Sequence, residues 1–256
     1  MIMTNTASEI KNIIVKDSEV AVFFMGQAGF IFKDSNSRLI AVDLYLSDCC
    51  ERFFGFKRLM PKLITPDELD FDIIIATHAH YDHFDIDTMP QMMTNSKTIL
   101  FTSVEGINEC KKLNIDLSRV TEIPLGSVHR QENIVITAVY ADHGELAPDA
   151  VGVVLKLGGK CIYIAGDTAF RPEKMKEIAQ YKIDLMIAPI NGAYGNLDEM
   201  EAVLLTEIMN PKLVVPCHYG NFAEHGGNPD IFAKNMENML PEQKYMVMKP
   251  GEYIVI

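Results

Sequence analysis

The sequence predicts a fold that mixes α and β structure. Short apolar, β-branched runs recur along the chain and read as strands. They come in runs first, with helical stretches interleaved or following, in two similar halves. No sharp linker or low-complexity tract divides the 256 residues, so residues 1–256 read as a single domain.

Residues 5–14 carry Ile10, Ile13 and Ile14 among polar residues, a short amphipathic helix. Val20 to Met25 reads as a strand, Gly26-Gln27-Ala28-Gly29 as a turn, and Phe30 to Lys33 as the returning strand. A third strand, Leu39 to Val42, ends at Asp43, whose plainest role is to cap the turn there. Residues 44–70 read as irregular. Phe71 to Ile75 is a buried strand that runs into a polar stretch at Ala76. Ile86 to Met93 reads as a short helix and Thr98 to Phe101 as a strand. Ser103 then caps a helix.

Arg119 to Ile123, Ile134 to Tyr140, Val151 to Leu157 and Lys160 to Ala165 are further strands. Gly158-Gly159 joins the last two as a hairpin turn. Arg171 to Tyr181 reads as helix, Asp184 to Pro189 as buried strand, and Leu197 to Met209 as a helix closed by Asn210-Pro211. Leu213 to Val215 is a strand, Asn228 to Leu240 a helix, and short strands follow.

Apolar residues make up 48% and charged residues 23%, as in ordinary globular proteins. The net charge of −12 argues against nucleic acid as a partner, since phosphate binding needs a basic surface. Five cysteines without regular spacing do not make a disulfide framework and read as reduced thiols. Met1 to Glu9 has no basic start and no apolar core of a secretory signal, and no apolar run is long enough for a membrane span. The expectation is a cytoplasmic protein with no membrane partner. A homo-oligomer is compatible with the sequence.

The chemistry concentrates in Thr77-His78-Ala79-His80-Tyr81-Asp82-His83-Phe84-Asp85. Three of the seven histidines fall within six residues here, just after an apolar strand. Imidazoles and carboxylates at this density suit a divalent transition metal. Three more strands are followed by possible ligands: His143 after Tyr140, Asp167 after Ala165, and His218 a little beyond Val215. Taken singly, each reads as a polar loop residue. Arg52, Lys57, Arg58 and Lys62 make a local basic segment in an acidic chain. It reads either as a lid that holds an anion such as phosphate or as a solvated loop. Cys49 and Cys50 read as packed or inert, and His129, beside Arg130 and Gln131, as surface.

The H-x-H-x-D-H pattern of residues 78–83, followed in order by His143, Asp167 and His218, resembles the metallo-β-lactamase superfamily across most of the chain. That resemblance implies an α+β, four-layer αββα sandwich. It implies that His78, His80 and His143 bind one metal, that Asp82, His83 and His218 bind a second, and that Asp167 bridges the two. Asp43 would buttress the metal loop. One or two divalent ions are implied, manganese or zinc; the ligand types do not separate these from iron. Asp82, His83 and Asp167 would carry catalysis, with Asp82 orienting a metal-activated hydroxide or moving its proton.

The segments around Gly26-Gln27-Ala28-Gly29-Phe30, Lys57-Arg58, Asn191-Gly192-Ala193-Tyr194 and His218-Tyr219-Gly220-Asn221-Phe222 resemble the bacterial L-ascorbate-6-phosphate lactonase group. This implies opening of a small anionic, phosphorylated sugar lactone. Lys57, Arg58, Asn191, Tyr194 and His225 are the candidate substrate contacts. A metal-dependent phosphodiesterase or other ester hydrolase of the same fold is the alternative reading. A non-enzymatic binding protein is disfavoured, because such relatives usually lose ligands and this chain has the whole set.

Overall fold

The structure is a computed structural model and describes residues 6–256. What was read from Met1 to Asn5, including the start of the first helix, lies outside the described residues. The first half runs α1 (Thr6–Asn12), β1 (Val20–Gly26), β2 (Gly29–Asp34), β3 (Leu39–Val42), α2 (Cys49–Phe54), β4 (Ile73–Ala76), α3 (Met89–Met92), β5 (Ile99–Thr102), α4 (Val104–Lys112) and β6 (Val120–Glu122). The second runs β7 (Val128–Gln131), β8 (Ile134–Tyr140), β9 (Val151–Leu157), β10 (Lys160–Ile164), α5 (Pro172–Met175), β11 (Leu185–Pro189), α6 (Glu199–Met209), β12 (Leu213–Cys217), α7 (Pro229–Met239) and β13 (Tyr253–Val255).

Among the described residues the strands form two sheets, ordered β13-β1-β2-β3-β4-β5-β6 and β12-β11-β10-β9-β8-β7. Period-two alternation decides what each strand buries. In β1, Val20, Val22 and Phe24 point between the sheets, where they meet Ile136, Val153, Leu155 and Ile187. Ala21, Phe23 and Met25 point the other way, onto Ile10, Met89, Met92 and Cys110 of the helical layer. The far face of the second sheet packs Tyr163, Met186 and Val214 on Leu205, Phe232 and Met236. Three apolar cores therefore separate four layers, α/β/β/α. Because both faces of each sheet are covered, the strands read as continuous apolar runs rather than alternating ones.

Topology then gathers one set of strand ends. β3, β4 and β5 run parallel, as do β10, β11 and β12. β8 is antiparallel to β9, which is antiparallel to β10, so β8 and β10 end together. The backbone N–H of Val151 donates to the Thr77 carbonyl across the two sheets. The segments after β1, β3, β4, β8, β10, β11 and β12 thus share one rim.

Three local expectations need correction. Residues 44–70 are not wholly irregular: α2 lies within them, ended by Gly55 at φ 78°. Its six residues show no apolar period; burial of Cys49 and Cys50 holds it in place. The helix expected over Arg171 to Tyr181 breaks into α5 and a 3-10 turn, Ile178–Tyr181. His129, expected at the surface, is only partly exposed. It lies on edge strand β7, half-buried, with its ring 5.4 Å from Phe101. The sequence does not predict this strand because its exposed edge is polar, as solvated edges usually are.

Candidate metal centre

The rim loops bring all seven sequence-predicted ligands into one buried cluster. His78 Nε2 lies 3.0 Å from His80 Nδ1, and His143 Nε2 lies 3.3 Å from that same Nδ1. Asp167 Oδ2 stands 3.7 Å from His143 Nε2. On the other side, His83 Nε2 and His218 Nε2 are 3.3 Å apart. Asp167 Oδ1 is 3.2 Å from the first and 3.3 Å from the second. Asp82 Oδ2 is 3.3 Å from His218 Nε2 and 3.7 Å from His83 Nε2.

These separations test whether a metal fits. Ligand atoms held about 2.0–2.1 Å from a tetrahedral ion sit roughly 3.3–3.4 Å from one another. The second group comes near that spacing with four donors of the right kind, at 3.2–3.3 Å except for Asp82 and His83 at 3.7 Å. Asp167 Oδ1 is also fully enclosed and accepts no hydrogen bond among the described residues, despite two imidazole nitrogens beside it. That is the arrangement of a coordination shell rather than a hydrogen-bond network. The donors fall into groups that could each hold a divalent ion: His78, His80 and His143; Asp82, His83 and His218; and Asp167 with His78 and His83.

The outer nitrogens are fixed by neighbours. His83 Nδ1 lies 2.9 Å from Asp43 Oδ2. Asp43 also accepts from the backbone N–H and the hydroxyl of Thr77, each at 2.8 Å. His80 Nε2 lies 3.1 Å from the Leu146 carbonyl. Such partners set the tautomer and aim of a ligating ring. Asp85 pins the next loop: it accepts from the backbone N–H groups of Leu46 and Ser47 and from the Ser47 hydroxyl.

Gln27 was not singled out from the sequence. Buried in the turn after β1, it donates from Nε2 to Asp82 Oδ2 at 2.9 Å and reaches His225 Nδ1 at 3.2 Å. Its carbonyl accepts the His218 backbone N–H. Gln27, Asp43, Tyr194 and His218 all take positive φ, a region that non-glycine residues adopt at a cost. Four such residues at one rim mark a backbone shaped around the cluster.

The charges are mutually tuned. Burial would raise the carboxyl pKa of Asp167, but His218 and His83 hold it well below the ordinary range. Asp82 behaves alike, through His83 and His218. In turn Asp167 and Asp82 outweigh burial and lift His218 to about 9; His83 is also raised. His78 and His143 are pushed down, first by burial. Without metal, His78 and His143 therefore favour the neutral ring, and His83 and His218 the protonated one.

The candidate substrate residues divide. His225 is buried, stacked on His218 at 5.2 Å with the rings 6° from parallel. Gly226 and Gly227 seat its loop against Asn191: a Cβ on Gly226 would come within 2.8 Å of the Asn191 carbonyl oxygen. Tyr194 lies 5.2 Å from His225, and Asn191 is buried beside them. Lys57 is exposed. Arg58 departs from expectation. Its guanidinium turns inward, donates to the carbonyls of Tyr45 and Ser47, and lies over the Tyr45 ring at 4.0 Å. Arg52 pairs with Asp87 and Lys62 with Asp48, so most of the segment's positive charge is answered within the chain.

A four-layer αββα sandwich with a paired His/Asp centre at one rim defines the class: metal-dependent hydrolases of the metallo-β-lactamase fold. The sequence matches the beta-lactamase superfamily domain over residues 43–219 and belongs to that family. A UPF0173 metal-dependent hydrolase from Sulfurisphaera tokodaii is 30% identical over 190 residues, covering 73% of this chain and 82% of that protein. One from Thermus thermophilus is 28% identical over 241 residues, covering 92% and 98%. Within the superfamily, then, the chain is a member of the UPF0173 metal-dependent hydrolases. Among solved structures, Igni18 from Ignicoccus hospitalis, described as a novel metallo hydrolase, shares the fold with a TM-score of 0.77. It is 24% identical, with 93% of this chain and 98% of that one covered. No helix among the described residues is long and apolar enough to cross a membrane.

Proposed function

We propose that this protein hydrolyses a small ester, with ring-opening of a lactone as the particular reaction. The carrying observation is the Asp167 carboxylate, which faces His83 and His218 with one oxygen and His143 with the other. A divalent pair held there, manganese or zinc, would supply an acidified water and polarise the substrate carbonyl. His78, His80, His143, Asp82, His83, Asp167 and His218 hold it.

The chain's own groups complete the chemistry. Asp82 takes a proton from water in the cluster and returns it to the leaving oxygen, its Oδ2 steadied by Gln27. The same amide donates to His225 Nδ1, which leaves the proton of that ring on Nε2. Nε2 is buried and has no hydrogen-bond partner among the described residues. It donates to a substrate oxygen. Asn191 and Tyr194 line the same side.

The lactone reading draws on the resemblance to the L-ascorbate-6-phosphate lactonase group. A phosphate on the substrate is not part of it, because Arg58 faces away and only Lys57 of the two expected contacts is exposed. Phosphodiester hydrolysis is the second reading, since the same ligands serve it. The test is hydrolysis by the manganese- and zinc-loaded protein of a plain lactone, a phosphorylated lactone and a simple phosphodiester. Turnover of the lactone supports the proposal; turnover of the diester alone overturns it.

A further inference from the structure

Aromatic side chains run from the surface to the metal cluster without a break. On α2, Cys49 and Cys50 point inward, while Phe53 and Phe54 are 52% and 56% exposed. Both meet Tyr81, the neighbour of Asp82 in sequence, at 5.1 and 5.6 Å. Phe54 meets Phe56 at 6.0 Å, and Phe56 meets His225 edge-on at 5.1 Å. His225 in turn stacks on His218.

Tyr194 continues this wall, 6.0 Å from Phe56 and 5.2 Å from His225. It also lines a cavity of about 280 Å³ with His143, Leu146, Ala169 and Arg171. That volume is near the small end of ligand sites. Exposed aromatics are costly to leave in water, and a contiguous set beside a cavity marks a binding surface. Three of the segment's four cations do not compete for the role, and the fourth, Lys57, is exposed. Arg58, Arg52 and Lys62 are engaged with backbone carbonyls or aspartates, and Arg171 pairs with Asp142 at 2.6 Å.

We infer that the substrate carries an aryl or alkyl group beside its scissile ester, and that Phe54, Phe56, Tyr81 and Tyr194 receive it. This rests on the hydrolase reading and names its substrate class: a small, apolar-substituted lactone or ester. The residues that follow Phe56 are tied to the loop after β12. Leu59 N–H donates to the Asn221 carbonyl, and Met60 N–H to the Asn221 side chain.

The test pairs binding with turnover on the full-length, zinc-loaded protein. Calorimetry compares a γ-phenyl lactam with the γ-methyl lactam, neither of which is readily hydrolysed. The expected result is roughly tenfold tighter binding of the phenyl compound, from the apolar area it buries. Phe54→Ala and Phe56→Ala should reduce that ratio towards one. Phe54 is half-exposed, so its variant keeps the test valid should Phe56→Ala unfold. Equal binding of the two lactams overturns the inference. So does a Phe54→Ala variant that lowers the particle mass in solution while leaving the ratio intact, since a second copy of the chain would then be the occupant. Tight phenyl binding with no turnover of any ester or diester leaves the wall standing and removes the hydrolase reading. Turnover with no phenyl preference does the reverse.

Discussion

Asp43 Oδ2 lies 2.9 Å from His83 Nδ1, and this contact turns the opposite nitrogen of the ring toward Asp167. Asp43 itself is fixed by Thr77, the first residue after β4. One carboxylate thus ties the end of β3 to the loop that holds four ligands.

Replacing Asp43 with alanine should therefore weaken metal binding at the Asp82–His83–His218 site by about 10–100-fold, with a smaller effect at the His78–His80–His143 site. Titration with zinc, followed calorimetrically, should resolve one weakened and one near-normal step. Two unchanged steps would show that the contact is incidental.

The metal-free protein should lose stability as pH rises. His218 has a folded pKa raised to about 9 from 6.5, because Asp167 and Asp82 outweigh the opposing effect of burial. A raised pKa stabilises the fold fully below about 6.5, and the benefit is gone once pH passes about 9. Asp82 and Asp167 have lowered pKa values, so their contribution holds above about 3.8 and fails in acid. Burial lowers the pKa values of His78, His143 and His225, so stability also falls as pH drops below about 6.5; melting temperatures in chelator should peak near pH 6.5 and fall toward pH 9. Added metal should stabilise more as pH rises, since it competes with protons on His218 and His83. A metal-free melting profile that climbs from pH 6.5 to 9 would contradict this.

Lys33 gives a test away from the site. Its buried ammonium donates to the carbonyls of Ile10, Lys11 and Ile13 at 2.9, 2.7 and 2.9 Å, closing the end of α1. Lys33→Met strands those acceptors and should cost about 2–3 kcal/mol in urea unfolding. Metal content should not change. A neutral effect would mean that water replaces the ammonium freely.

Gly227 tests the His225 loop. A Cβ there would stand 2.7 Å from Tyr219 Cβ, at φ 83°. Gly227→Ala should displace His225, lower kcat/KM by about tenfold or more for roughly 1.4 kcal/mol of lost transition-state stabilisation, and leave the ligands loaded. Wild-type kinetics in this variant would remove His225 from the substrate side.

Much of this was legible in the sequence because the ligand residues are chemically distinctive and each follows an apolar strand. His78, His80, Asp82 and His83 announce themselves by crowding, while His143, Asp167 and His218 gain meaning only in order. Gln27 gave no such signal. A polar residue between Gly26 and Ala28 reads as a turn, and its amide reaches Asp82 across 55 positions. Arg58 misled for the opposite reason. Its charge was visible, but the Tyr45 ring and carbonyl that take it are thirteen residues away. The aromatic wall was equally hidden, since Phe54, Tyr81 and Tyr194 meet only through the fold.

The most direct test of the paired centre is the metal content of the zinc-reconstituted protein beside His78→Ala and Asp167→Ala. Two equivalents per chain are expected in the natural sequence, about one in His78→Ala, and fewer than two in Asp167→Ala. Full occupancy in both variants, or no bound metal in the unaltered protein, would contradict the account.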